Sequence, residues 1–216
     1  MAKQRYTRER NKRELHKTLY IFTEGEKTEV NYFEAKAREI NSRERYKRRK
    51  LRIEVIGTGR NTLSLVDKAL EYIENNGVDC NLDECWVVFD LDDFNRDFDN
   101  AINKAEANKI KVAYSIASFE LWYLLHFKPH NTAWHRKIYG KTLTECLKNH
   151  TGDSEYKYEK NSEDMYELLK EKESEAIRNA ERLIKDNLNV RPISKKDPST
   201  TVHLLVKRIN EIGNNQ

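Results

Sequence analysis

Glu24, Asp90 and Asp92 are the residues whose types and spacing could do chemistry. Asp90 and Asp92 close an apolar run in VVFDLDD, and Glu24 stands directly after another in TLYIFTEGEKTE. Residues two apart on an extended backbone point the same way, so Asp90 and Asp92 can address one ion while Leu91 faces away. Three carboxylates around one point repel each other without a cation. Oxygen donors suit Mg²⁺ (or Mn²⁺), which takes few protein ligands and keeps waters. The expected chemistry is phosphodiester hydrolysis. The aspartate pair would hold the cation against a phosphate oxygen, and Glu24 would act as general base or acid or complete the metal shell. Gly25 would let the backbone approach a phosphate, and the start of the helix that follows favours an anion.

A lone Asp-x-Asp is common in turns and surface loops. Position sharpens it here, because parallel α/β sheets gather ligands at the carboxyl ends of their strands. Glu120 is the next candidate, as a second metal position or as a helix-opening acid stabilised by the dipole. Glu29, beside Thr28, reads as a capping acid. Lys27 either contacts phosphate or stands in solvent. Arg60 and the run Arg48, Arg49, Lys50 are further candidates for phosphate and nucleic-acid binding. His126 and His203 read as packed or hydrogen-bonded histidines, and neither forms a zinc motif with the cysteines. Most aromatic residues belong to the core, with Trp134 or Tyr46 able to stack on an unpaired base if exposed.

Charge is segregated along the chain. Residues 1–60 carry 18 Lys/Arg against 9 Asp/Glu, whereas residues 79–99 hold eight carboxylates and one cation, Arg96. A basic surface beside a carboxylate cluster suits a protein that grips a polyanion while presenting acids to a divalent ion. The basic runs are equally readable as solvated faces. No stretch approaches the roughly 20 apolar residues of a membrane helix, and the N-terminal MAKQRYTRERNKRELHK lacks a signal-like apolar core, so a soluble cytoplasmic protein is expected. Cys80, Cys85 and Cys146 form no CxxC pair and read as reduced thiols.

The elements that must position these residues follow from periodicity. Residues 1–17 read as a flexible basic arm. TLYIFT (18–23) is a β-rich strand, and a helix runs from Thr28 to about Asn41. LRIEVIG (51–57) alternates as a strand, GTGRNT is a loop, and Leu63, Val66, Leu70 and Ile73 mark a helix ended by NNG. CWVVFDLDD (85–93) is a third strand, apolar enough for the inside of a parallel sheet. A helix from about Asp97 to Asn108 leads to a fourth strand at 110–116. Strands alternating with helices imply a Rossmann-like parallel α/β sheet of about four strands, placed in residues 18–127. SFELWYLLHF (118–127) reads as an aromatic helix. Residues 128–216 read as a helical extension packed on the core, with Leu169, Ala176, Ala180 and Leu183 on one stripe. Its last helix is expected to start at Pro198 and Ser199 and to bury Val202, Leu205, Val206 and Ile209.

Four blocks in order, TEGEKTEVNYF, VVFDLDDF, SFELWYLLHF and DPSTTVHLLV, resemble the signatures of the RloB-like family, a Toprim-related group found with restriction and abortive-infection loci. The resemblance runs from about Thr18 to Leu205. It implies a Toprim-like fold, with the Toprim glutamate at Glu24 and the Asp-x-Asp motif at Asp90 and Asp92. It further implies Mg²⁺-dependent nucleic-acid chemistry in antiphage defence, with an ATPase partner encoded nearby.

Two functions compete on this reading. One is an endonuclease acting on DNA or RNA. The other is a non-catalytic metal- and nucleic-acid-binding regulatory subunit of an ATPase-containing defence complex. The chain has no room for the additional domains of a topoisomerase or primase, and it permits an oligomer.

Overall fold

The computed structural model describes residues 18–42, 52–91 and 97–214. Its sheet is built from β1 (Thr18–Thr23), β2 (Arg52–Gly57), β3 (Glu84–Leu91) and β4 (Lys111–Ile116), all parallel, in the order β2-β1-β3-β4. Helices α1 (Thr28–Ser42), α2 (Thr62–Asn76) and α3 (Phe98–Ala107) make the three crossovers. This is the α/β, Rossmann-like class expected from the sequence. The chain goes from β1 outward to β2, then returns across β1 to β3. That reversal opens a crevice between the carboxyl ends of β1 and β3, where open α/β sheets bind ligands.

The sheet has two apolar faces because side chains alternate along each strand. Leu19 and Ile21 of β1, Ile53, Trp86, Val88 and Ala113 face α1. Phe22, Cys85, Val87, Phe89 and Tyr114 face α2 and α3, where Leu65, Val66, Ala69, Phe98, Ala101 and Ala105 cover them. Strand β3 is buried from Glu84 to Phe89, as its near-continuous apolar run requires. Gly77, at φ 61°, ends α2 in the left-handed conformation that NNG foretold.

The remaining helices are α4 (Glu120–Leu125), α5 (Arg136–Thr151), α6 (Met165–Leu169), α7 (Glu173–Asp186) and α8 (Val202–Asn214). Their apolar residues join the cluster on the α1 face. Leu169, Ala176, Ala180 and Leu183 are all buried there, as are Val202, Leu205, Val206 and Ile209. Two details differ from the periodicity. The stripe from 163 to 186 is divided between α6 and α7 by a 3₁₀ turn at Lys170–Lys172, and residues 153–164 contain no helix. The last helix begins at Val202 because Ser199 and Thr201 hydrogen-bond β4 instead: Ile116 N–H donates to Ser199 O and Thr201 N–H to Tyr114 O, each at 2.8 Å. These contacts satisfy backbone groups on the outer edge of β4. No helix among the described residues is long and apolar enough to cross a membrane.

Candidate active site

The site forms where β1 and β3 end. Glu24 follows β1 directly, and its N–H donates to Val88 O at 2.9 Å, which ties the residue to the neighbouring strand. Its carboxylate Oε2 in turn accepts the Asp90 N–H at 3.2 Å. Glu24 and Asp90 are thus brought together, as the sequence suggested. Alternation along β3 puts Asp90 on the same face as Trp86 and Val88, the side covered by α1. Asp92, Arg48, Arg49 and Lys50 lie outside the described residues, as does Tyr46.

Asp90 as a residue is half-buried, but its Oδ1 is sealed from solvent and has no hydrogen-bond partner. Oδ2 accepts the Phe119 N–H at 2.8 Å. Burial above all, then the charges of Glu29, Glu120 and Glu24, hold the Asp90 carboxyl well above the ordinary carboxylate range, and the Phe119 hydrogen bond opposes this only in part. Glu84, at the other end of the same strand, shows the contrast. Burial raises that carboxyl too, but hydrogen bonds from Lys111, Arg208 and Trp86 outweigh it and hold the pKa low. One end of β3 thus has a carboxylate neutralised by cations. At the other end, the carboxyl's strongest charged neighbours are all acids.

Glu29 and Glu120 reach the site from two helix starts. Glu29, in the first turn of α1, is 7% exposed. Its Oε2 lies 2.1 Å from where a Cβ on Gly25 would stand, so Gly25 has to be glycine for this carboxylate to fold back over the turn. Glu120 opens α4 at 3% exposure and accepts the Tyr158 O–H at 3.1 Å. Lys160 Nζ stands 3.6 Å from the same oxygen. The loop carrying Tyr158 and Lys160 is strapped onto the start of α1. Thr28 Oγ1 donates to Lys160 O at 2.7 Å, and the Asn31 amide donates to Asn161 O and Ser162 O.

In front of Glu24 and Glu29 lies a cleft of about 590 Å³. It is lined by Glu24 to Glu29, by Gly59, Arg60 and Asn61, and by Lys160 and Asn161. Lys27 and Arg60 are both exposed at its rim. The GTGR loop is fixed there by Thr58, whose N–H and Oγ1 both donate to Thr23 O, at 3.1 and 3.0 Å. Gly25, Lys27 and Arg60 therefore share one cleft with Glu24.

Among the described residues no three His, Cys, Asp or Glu side chains already form a metal cage. The donor set nevertheless fits a hard divalent cation. It consists of oxygens alone, it crowds carboxylates from β1, α1, β3 and α4, and it includes the unpartnered Asp90 Oδ1. Glu24 and Asp90 are the residues that would hold such an ion, with Glu29 and Glu120 beside them.

Other candidates take structural places. His126 and His203 are buried, and burial lowers their pKa values to about 3 and about 4. His126 Nδ1 lies 2.9 Å from Trp122 O. Tyr32, Phe33, Trp86, Trp122 and Tyr123 are buried in the core, while Trp134 packs against His130 and Tyr139. Cys80, Cys85 and Cys146 are free thiols. The sequence reading assigned Glu29 to capping. The structure keeps Glu29 in the first turn of α1, as that reading had it, and also makes its charge felt at Asp90. Nothing local to Tyr158 or Lys160 pointed to the site.

Residues 19–209 match the model of the RloB-like protein family. The chain belongs to the RloB-like family. No curated protein and no solved structure matches it. The family match spans every strand of the sheet and each of the four acids gathered at its carboxyl edge. It also takes in the Tyr158–Lys160 loop of the helical extension, so the RloB-like region includes both sides of the cleft.

Proposed function

We propose that this RloB-like protein is a metal-dependent endonuclease of Toprim type, hydrolysing phosphodiester bonds in DNA or RNA. The observation that carries the reading is the meeting of Glu24 and Asp90 at the sheet's switch point, with Asp90 Oδ1 buried and unpartnered. A buried acid surrounded by acids is unfavourable for folding and persists where function requires it.

Glu24, Asp90 and Asp92 are the proposed ligands and catalytic acids, with Glu29 and Glu120 completing the acidic wall. A bound Mg²⁺ or Mn²⁺ supplies neutralisation of phosphate charge and polarises the scissile group. The chain's own residues do the rest. Glu24, oriented through Oε2 by the Asp90 N–H, takes the proton of the attacking water. Arg60, Lys27 and Lys160 hold phosphates along the cleft, and the turn at Gly25 keeps a side chain out of their way. Tyr158 positions Glu120 through its hydroxyl, which burial and then the Glu120 charge keep protonated. Antiphage defence, abortive infection and an ATPase partner are supported by the family resemblance alone.

A second reading, a regulatory subunit that binds metal and nucleic acid without cleaving, would use the same acids and the same cleft. One experiment separates the two. Plasmid, single-stranded DNA and total tRNA are incubated with wild type and Asp90→Ala in Mg²⁺ or Mn²⁺, with and without the ATPase partner. Cleavage by wild type that Asp90→Ala abolishes supports the nuclease. Binding without cleavage under every condition supports the regulatory subunit.

A further inference from the structure

A second cavity adjoins the catalytic cleft on the other side of Arg60. It measures about 340 Å³ and is lined by Phe22 of β1, Ile56 and Gly57 of β2, Thr58, Arg60, and Lys68, Glu71, Tyr72, Asn75 and Asn76 of α2. Its size falls at the lower end of sites that hold small organic ligands. The walls are chemically divided. Ile56 and the half-buried Tyr72 supply an apolar floor backed by Phe22 of the core, and the rim carries Arg60, two asparagines and Lys68, whose ammonium pairs with Glu71 at 2.5 Å.

The floor is rigid. The Phe22 and Tyr72 rings meet edge to face with centroids 5.4 Å apart, and the Tyr72 hydroxyl donates to Glu54 Oε1 at 3.1 Å. Asn76 is committed to the backbone, its amide donating to Tyr72 O at 2.8 Å. Asn75 is exposed and makes no side-chain hydrogen bond among the described residues, so its amide presents a donor and an acceptor to whatever enters. A flat heteroaromatic ring with polar edges matches an aromatic floor and an amide rim. Arg60 lines both cavities, so a phosphate held on it in the cleft would leave the attached base within reach of the pocket.

We propose that this pocket is a base-binding subsite, taking one unpaired nucleobase of the strand whose phosphate lies in the cleft. The inference rests on the nuclease reading and names its substrate class: a nucleic acid with an unpaired base at the site, in preference to an intact duplex. A base stacked within a helix would first have to be unpaired and turned out of its stack to enter a cavity beside α2, whereas a loop or single strand offers its bases without that cost.

The test measures binding without metal, so it does not depend on cleavage. Fluorescence anisotropy compares a single-stranded oligonucleotide, the same strand with one abasic position, and its duplex. The proteins are wild type, Asn75→Trp, which fills the pocket from an exposed helix position, and Asn75→Ala. Far-UV circular dichroism checks that each variant is folded. Wild type is expected to favour the intact strand over the best-placed abasic strand by about 10-fold, as loss of one stacked base implies, and to bind the duplex more weakly. Asn75→Trp is expected to erase the intact-over-abasic preference, and Asn75→Ala to reduce it. The proposal is overturned if wild type shows no such preference, if Asn75→Trp leaves it unchanged, or if a nucleoside monophosphate binds more tightly than the strand. Loss of the nuclease reading is seen separately, as Mg²⁺-dependent cleavage that survives Asp90→Ala or never occurs, and neither result alters the binding comparison.

Discussion

Glu24 Oε2 accepts the Asp90 backbone N–H at 3.2 Å, joining two residues 66 positions apart in the chain. The bond ties the turn after β1 to the last residues of β3, so the two acids keep a fixed relation before any ligand arrives. Glu24→Gln and Asp90→Asn preserve size and leave this backbone donor in place. Each is expected to lower Mg²⁺-dependent cleavage by about 100-fold or more, as loss of a positioned acid–base group would. Single-turnover assays check this, and a variant cleaving at the wild-type rate would remove its acid from the mechanism.

Gly25→Ala should separate the site from the fold. The new methyl would stand 2.1 Å from Glu29 Oε2, the far end of a flexible side chain, so the carboxylate can swing away at little cost in stability. Cleavage is expected to fall strongly while the melting temperature stays near wild type. A large loss of stability would show that the turn itself, rather than the placement of Glu29, requires glycine.

If these acids hold a divalent cation, adding one must stabilise the folded protein. At a free Mg²⁺ or Mn²⁺ concentration 100 times the dissociation constant the gain is about 2.7 kcal/mol. Differential scanning calorimetry should show a rise in melting temperature for wild type and none for Asp90→Ala. An equal rise in both proteins would place the ion elsewhere.

Tyr158→Phe removes the hydroxyl that donates to Glu120 Oε1 at 3.1 Å. Hydrogen bonds to charged groups contribute roughly 1.5–3 kcal/mol, and Lys160 is left as the cation beside that oxygen. Urea unfolding should show a destabilisation in that range. Cleavage should also decline, because Glu120 loses the group that orients it.

His126 and His203 set an acid limit on stability. Both are neutral in the folded chain, with pKa values lowered to about 3 and about 4 against an ordinary 6.5. Between those values and 6.5 the unfolded chain binds more protons, so stability is complete above pH 6.5 and is lost as pH falls toward 4. At pH 5 each histidine costs on the order of 2 kcal/mol. Chemical unfolding at pH 7.5 and pH 5 should show the decline, and His203→Gln should lose less over that interval than wild type. Equal losses would mean that His203 is already protonated in the folded state.

Much of the fold was legible because its signals are local. TLYIFT, RIEVIG, CWVVFDL and KVAYSI are short apolar runs bounded by turns, and they became β1 to β4. The positions of Glu24 and Asp90 were legible for the same reason, since each is defined by the end of a strand. Glu29 was read as a capping acid because Thr28 beside it supplies an adequate local explanation, and it does stand in the first turn of α1. Its turn toward Asp90 exists only once Gly25 brings the helix start back over the strand. The start of α8 was missed because Pro198 and Ser199 resemble a helix opening, whereas the edge of β4 competes for Ser199 and Thr201 and wins through tertiary hydrogen bonds. Tyr158 and Lys160 carry no sequence mark at all. Their place depends on Thr28 and Asn31 gripping their loop from 130 positions away.

That grip bears on how the molecule could be dissected. The strap from the helical extension crosses the opening of α1 and delivers a tyrosine and a lysine to the acids, so neither half of the chain owns the cleft. Cutting the polypeptide after Phe127 would leave the sheet with one wall of its groove missing and a broad apolar flank uncovered. Engineers seeking a minimal version should expect to keep both segments, and random deletions in 153–164 should prove as damaging as changes to the strand ends.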